Sequence, residues 1–308
     1  MKILVTGGAG FIGSNLVDVL IEQGHEVAVV DNLLTGKKEH VNPAAHFFEL
    51  DVRDKKLSQV LAQEKPEAVF HLAAQIDLRK SVEDPLWDAE ENILGSINLL
   101  KLCQDFGGVK KIIFSSSGGA IYGDTNDIPT KESHQENPVS PYGIAKLTID
   151  KYLHYYHQVF GLPYISLRYS NIYGPRQNAK GEAGVVAIFC DRLLSGQSVV
   201  INGNGSQTRD YVYVTDVVQA NLLALDSAKV AVYNIGTGIE TNVNQIADLI
   251  KKNINPEAEF SHGPAKAGEQ QRSCLDANKA KVELGWQPAV DLAVGIQKTV
   301  EWFKNNHQ

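Results

Sequence analysis

The sequence predicts an α/β fold, a doubly wound parallel sheet with a smaller, interleaved C-terminal α/β lobe, and three observations carry that prediction. A short apolar run, residues 2–6, leads directly into Gly7-Gly8-Ala9-Gly10-Phe11-Ile12-Gly13 and an apolar helical stretch over 11–21, which reads as strand, glycine turn, helix. Strand-like and helix-like segments then alternate as far as residue 114, and repeated units of that kind build a parallel sheet with right-handed crossovers. After Arg168 the rhythm changes to glycine-rich loops and short segments, and 308 residues exceed the usual size of one core. The predicted lobes are therefore 1–168 and 169–308, interleaved because no linker separates them.

In the first unit the glycines have separate tasks. Gly7 permits the tight turn, Gly10 lets a pyrophosphate approach the backbone, Gly13 lets helix and strand pack closely, and the helix N-terminus holds the anion. The spacing is Gly-x-x-Gly-x-x-Gly with an additional Gly8, so a plain glycine turn joining two core elements is the alternative. The second strand, 26–30, ends in Asp31, 31 − 13 = 18 positions past the last glycine. An acidic residue near that distance bonds the adenosine ribose hydroxyls and repels a 2′-phosphate, which favours NAD over NADP. Lys37 and Lys38 would partly offset the repulsion, and an ordinary strand-end carboxylate is the other reading of Asp31. Strands over 45–49 and 67–72 flank a helix over 55–63; a long helix covers about 85–106 and an apolar strand 111–114. Because ligands of such sheets lie at the strand ends, Asp51 and Val52 are expected beside the adenine, followed by Leu72, Ala73 and Ala74, and then Ser115, Ser116 and Ser117.

Composition narrows the class. With 29 basic and 36 acidic residues the formal charge is −7, which argues against a nucleic-acid partner. Cys103, Cys190 and Cys274 have no metal or redox spacing and fit a reducing compartment. His154 and His157 have helical spacing for two metal ligands but no third, so no metal is expected. A strand beginning at Lys2 leaves no room for a signal peptide, and no apolar run approaches a membrane span, so a cytoplasmic protein without membrane contact is expected. Segments 92–106 and 142–160 are apolar on more than one stripe, which predicts helix pairing in a homodimer; burial within one subunit is the alternative.

The chemistry gathers at Tyr142-Gly-Ile-Ala-Lys146. Four residues make about one helical turn, so phenol and ammonium share a face. A free phenol has a pKa of about 10, and a fixed positive charge beside it favours the phenolate, so the pair is expected to act as a base near neutral pH.

The glycine turn, the serine run before Ile121-Tyr122-Gly123, Tyr142-x-x-x-Lys146 and Gly205-Ser-Gln-Thr-Arg209-Asp210-Tyr211 together resemble the extended short-chain dehydrogenase/reductase superfamily. Within it, the likeness is to the NAD-dependent epimerase/dehydratase family and its UDP-hexose 4-epimerase branch, from Met1 to about Pro288. The resemblance implies a Rossmann-type sheet, tightly held NAD and a redox-neutral inversion of the hexose C4 hydroxyl of UDP-glucose or UDP-galactose through a transient 4-keto sugar. It implies that Tyr142 takes the hydroxyl proton, that Lys146 lowers the tyrosine pKa and bonds the nicotinamide ribose, and that Ser117 bonds the reacting oxygen. It adds Phe11, Ile12, Asn32, Asn92 and Tyr169 to the cofactor contacts. For the substrate it implies a diphosphate grip by Asn171 and Arg209, a guanidinium suiting bidentate phosphate recognition. Arg209 in an ion pair with Asp210 or Asp216 is the other reading. Lys266 stands where the family commonly has a second arginine. Glu269 falls at the uridine ribose, Gly184, Val185 and Val186 line the uridine site, and Asn202 and Ser170 depart from positions where aromatic or bulky residues are frequent. Ser273 takes the place of a sugar-pocket gate, and so small a side chain implies room for UDP-N-acetylhexosamines. Related dehydratases and decarboxylases carry acidic residues just after the catalytic Ser or Thr, where this chain has Gly118-Gly119-Ala120. A UDP-glucuronate 4-epimerase and, from another class, an idle NAD-binding sensor are the rival readings.

Overall fold

The computed structural model describes residues 1–179, 184–265 and 270–306. Its first half comprises β1 (Lys2–Thr6), α1 (Phe11–Glu22), β2 (Glu26–Asp31), β3 (His46–Glu49), α2 (Leu57–Glu64), β4 (Ala68–His71), α3 (Leu78–Glu83), α4 (Pro85–Ala89), a π-helical turn (Glu90–Leu94), α5 (Gly95–Phe106), β5 (Lys111–Ser117), α6 (Gly118–Tyr122), α7 (Pro141–Phe160) and β6 (Tyr164–Tyr169). Then follow β7 (Asn171–Tyr173), α8 (Val185–Leu194), β8 (Val199–Asn202), β9 (Thr208–Arg209), β10 (Tyr211–Tyr213), α9 (Val214–Asp226), β11 (Ala231–Ile235), β12 (Thr241–Asn242), α10 (Val243–Ile254), β13 (Phe260–Gly263), β14 (Arg272–Ser273), α11 (Asn278–Leu284) and α12 (Leu292–Asn306).

Seven of the described strands form one parallel sheet in the order β11-β6-β5-β4-β1-β2-β3. The chain winds outward from β1 to β3, then crosses to β4 and winds the other way, so the switch point lies between β1 and β4. Both faces are covered, and the period-2 alternation of strand side chains decides which residue enters which core. Ile3, Val5, Val27, Val29, Phe70 and Ile113 pack with α1 and α9 on one face, while Leu4, Val30, Val69, Ile112 and Phe114 pack with α2, α5 and α7 on the other. A separate core joins α8, α10 and α12 to β8 and β10.

Two expected elements differ. The helix over 85–106 contains the π turn, which carries Asn92. The strand expected to stop at 114 continues to Ser117, because Ser115, Ser116 and Ser117 pair in register with Leu167, Arg168 and Tyr169 of β6. The serine run is therefore the C-terminal end of a central strand, and polar side chains are expected where such an end meets a ligand cleft.

Candidate active site

The glycine turn is built by close approach. Gly7 has φ +74°, and a Cβ placed there would lie 2.6 Å from the Ala73 nitrogen, across the switch point. A Cβ on Gly13 would stand 2.1 Å from the Gly7 oxygen. Gly10 caps α1 without a side-chain bond, so nothing of the turn's own covers the helix's first N–H groups at Phe11 and Ile12. A dinucleotide diphosphate fits this cradle, which has helix N–H groups at one side and glycines in the turn that faces them.

Asp31 closes the turn from β2. Its carboxylate accepts from the Ala9 amide at 3.0 Å and the Leu33 amide at 2.8 Å, and burial raises its pKa against those two bonds. Asn32 donates to Asp51 at 2.9 Å, and Arg53 grips the same carboxylate with two bonds of 2.8 Å, so Asp51 is held down to about 2, chiefly by Arg53. Val52 is buried against α5, while Leu72, Ala73 and Ala74 follow β4 beside Thr6, whose hydroxyl accepts from the Ala73 amide at 3.4 Å.

Tyr142 and Lys146 lie in the first turns of α7, which Ser140 starts by accepting from the Gly143 amide at 3.1 Å, with Pro141 as the first helical residue. The structure brings Ser117 of β5 beside the Tyr142 hydroxyl. Lys146 Nζ donates to the Ser115 carbonyl at 2.8 Å and lies 5.7 Å from the centre of the Tyr142 ring. Here one expectation is corrected: the Tyr142 pKa is raised. Burial dominates, the Ser117 bond opposes it and the charge of Asp88 adds to it. The ammonium is turned to Ser115 and the ring face, and burial lowers Lys146 itself to about 8 against the pull of Asp150 and Asp88.

Segments far along the chain approach the Gly118-Gly119 turn that follows β5. Arg209 and Ser273 are register partners in β9 and β14, and the Arg209 guanidinium donates to the Thr208 carbonyl at 2.7 Å. Ser273 faces the catalytic turn, since a Cβ on Gly119 would lie 3.0 Å from its hydroxyl and one on Gly118 2.5 Å from Leu275. Gly118 thus packs against the Leu275 side chain and Gly119 against Ser273 of β14. Gln270 ties the same turn by donating to the Gly123 carbonyl at 2.7 Å. The Asp210 carboxylate is filled by Thr237, Gly238 and Leu275 donors, and Asp216 accepts from the Val290 amide. Asn171 opens β7, exposed, with its amide on the Asp210 carbonyl at 2.9 Å.

Of the other expected contacts, two have side chains taken up by cores. Gly184 caps α8 and Val185 is half-buried, but the Val186 side chain belongs to the lobe's core. The Tyr169 ring is core as well, its hydroxyl accepting from Asn221 at 2.8 Å. Lys266 and Glu269 lie outside the described residues. Missed by the sequence reading were His71, Gln75, Asp88 and Gln270. Asp88 bonds Asn92 four residues on, a helical spacing that the sequence does contain, but burial had to supply its significance.

The sequence pattern of the NAD dependent epimerase/dehydratase family matches residues 3–236. The chain is 43% identical over 314 residues to UDP-glucose 4-epimerase of Mycolicibacterium smegmatis, covering 100% of both chains. Its fold is similar to a crystal structure of UDP-glucose 4-epimerase from Thermotoga maritima with UDP-glucose, at TM-score 0.98, 50% identity and 100% coverage of both chains. It is similar too to the Thermus thermophilus UDP-glucose 4-epimerase complex with NAD, at TM-score 0.94 and 42% identity, covering 99% of this chain and 100% of that one.

Proposed function

Because this chain belongs to the NAD dependent epimerase/dehydratase family, we propose as its activity the inversion of C4 in a UDP-hexose, with NAD as cofactor. It is an isomerase, and its substrates are UDP-glucose and UDP-galactose. The observation that carries the assignment of residues is the meeting of Ser117, Tyr142 and Lys146 at the end of β5, with β4 between them and the glycine turn. The turn at Gly7, Gly10 and Gly13, with Asp31 behind it, would hold the dinucleotide, and Asp31 selects NAD over NADP. When bound, oxidised NAD supplies a reversible two-electron acceptor for C4 and a positive charge beside the phenol. Tyr142 takes the C4 hydroxyl proton, with Ser117 bridging the sugar oxygen and the phenol, and returns it after the 4-keto sugar has turned over. Lys146 holds the developing phenolate charge. Asn171 and Arg209 grip the diphosphate, which leaves the hexose free to rotate between its two faces.

The finer assignments rest on the same reading. Ser273 is small and lies against Gly119, which supports room for N-acetylated hexosamines. The lobes 1–168 and 169–308 interleave, with β11 of the second completing the sheet of the first. Exposed Leu78, Val82, Leu86, Ile144 and Val159 on α3, α4 and α7 support a homodimer through these helices. No described helix is long and apolar enough to cross a membrane, and a cytoplasmic setting suits the three buried free thiols.

Incubating the purified protein without added NAD on a panel of UDP-sugars, read by NMR of the anomeric signals, tests the activity. A mixture of UDP-galactose and UDP-glucose is expected, with Tyr142→Phe lowering kcat by about 10²–10⁴-fold. Turnover confined to UDP-uronates, or a released 4-keto-6-deoxy sugar, overturns the reading.

A further inference from the structure

Thr6, His71, Ser96, Asn92 and Gln75 are buried in a line that runs from the glycine turn to the π turn. Thr6 and His71 are register partners in β1 and β4, the two strands that flank the switch point. The Ser96 hydroxyl donates to the Asn92 carbonyl, so its oxygen can only accept from His71 Nε2, at 2.8 Å. Nε2 therefore carries the ring proton. Burial keeps the imidazole neutral, so its Nδ1 accepts from the Thr6 hydroxyl at 2.7 Å. The Thr6 oxygen accepts in turn from the Ala73 amide at 3.4 Å, and Ala73 faces Gly7, where a Cβ would lie 2.6 Å from its nitrogen. At the other end Asn92 and Gln75 are closed on each other, the Gln75 amide donating to Asn92 Oδ1 and Asn92 Nδ2 to the Gln75 carbonyl, each at 2.9 Å.

The same ring borders the catalytic pair. Phe114 lies 5.6 Å from it, and the Lys146 ammonium rests 4.8 Å from the centre of the Phe114 ring. The π turn, for its part, packs against α7. We propose that His71 is a positioning residue of the ligand crevice, a neutral post in one tautomer that fixes the glycine turn against the π turn and so sets the width of the cleft that would take the dinucleotide. The proposal rests on the NAD-dependent isomerase reading above. Imidazole suits the task because one rigid ring carries a donor and an acceptor on separate nitrogens, and a proton added at Nδ1 would break the Thr6 bond.

The test follows NAD leaving the purified holoenzyme into an excess of isotopically labelled NAD, read by mass spectrometry, beside kcat for UDP-galactose and urea unfolding. His71→Asn keeps a polar group near Nδ1 for Thr6 but cannot reach Ser96, whereas His71→Gln reaches Ser96 and lets go of Thr6. Each is expected to release NAD about tenfold faster than the parent, because one buried bond is lost and affinity changes fall mainly on the off-rate. Ser96→Ala should speed release as His71→Asn does, and the two together by no more than either alone, since they cut one link. Variants that lower the urea midpoint yet hold NAD as long as the parent make His71 a packing residue and overturn the inference, as does an additive effect in the double variant. If the His71 variants do not fold, Ser96→Ala and Thr6→Val carry the test, and unchanged release in both overturns it. A parent that retains no NAD or inverts no UDP-hexose fails the isomerase reading, and the inference falls with it.

Discussion

The cofactor cradle and the catalytic floor lie at the ends of β1 and β5, with β4 between them, yet are held by opposite means. Around Gly7 and Gly13 the chain is shaped by sterics, with backbone against backbone at distances no Cβ tolerates. Beneath Tyr142 and Lys146 it is shaped by buried charge. Arg168, itself 2% exposed, binds Asp150 at 2.9 Å, the Tyr122 hydroxyl at 3.0 Å and Glu136 at 2.9 Å, and Tyr122 passes on to Asn234 at 2.9 Å. Asn234 in turn donates to the Thr130 and Asp276 carbonyls, so one polar chain runs from the catalytic helix into the C-terminal lobe. The difference teaches that damage to the cradle should be insensitive to pH, whereas damage to the floor should carry a charge signature.

The sharpest break of that contrast is Arg168→Met. Removing the guanidinium leaves Asp150 buried and unpaired, a loss of about 3–5 kcal/mol that urea unfolding at pH 7 measures. Since Asp150 then escapes the penalty by taking a proton, the loss should shrink in acid; an equal loss at pH 5 would mean that packing, not charge, holds the floor. In the cradle, Gly13→Ala forces a methyl into the Gly7 carbonyl and costs about 1–3 kcal/mol, with NAD lost on gel filtration. That cost should be the same at pH 5 and pH 8.

A smaller effect sharpens the border between the two regions, where Thr6 Oγ1 meets His71 Nδ1 at 2.7 Å and His71 Nε2 meets Ser96 at 2.8 Å. Burial, helped by the Lys146 charge, lowers the His71 pKa from 6.5 to about 3. The sign follows: between those two values the unfolded chain binds the proton and the folded one does not, so stability falls as pH drops. The slope is about 1.4 kcal/mol per pH unit, or about 2 kcal/mol from pH 6.5 to 5. His71→Asn should flatten that acid loss in urea titrations, and an unchanged slope would assign the acid sensitivity to other groups.

Much of this site is legible in the residues because its parts are local. Gly7 to Gly13 and Tyr142 to Lys146 are each read within two helical turns, where periodicity and turn sterics act between near neighbours. Val186 and Tyr169 misled because nearness to a pocket in sequence does not say which way a side chain points, and both point into cores. The sign of the Tyr142 shift was missed for a related reason. Spacing places an ammonium one turn away, but the Ser115 carbonyl, 31 positions earlier in the chain, captures it.

By itself, then, the sequence determined the strand, turn and helix order, the glycine cradle and the Tyr-Lys pair, since each follows from interactions among residues a few positions apart. Tertiary structure alone decided that the serine run is strand, that Ser273 lies against Gly119, that β11 completes the sheet and that the Asp88 carboxyl is buried on α4 where it packs against α7. Register and desolvation are set by segments distant in the chain, and no local pattern records them.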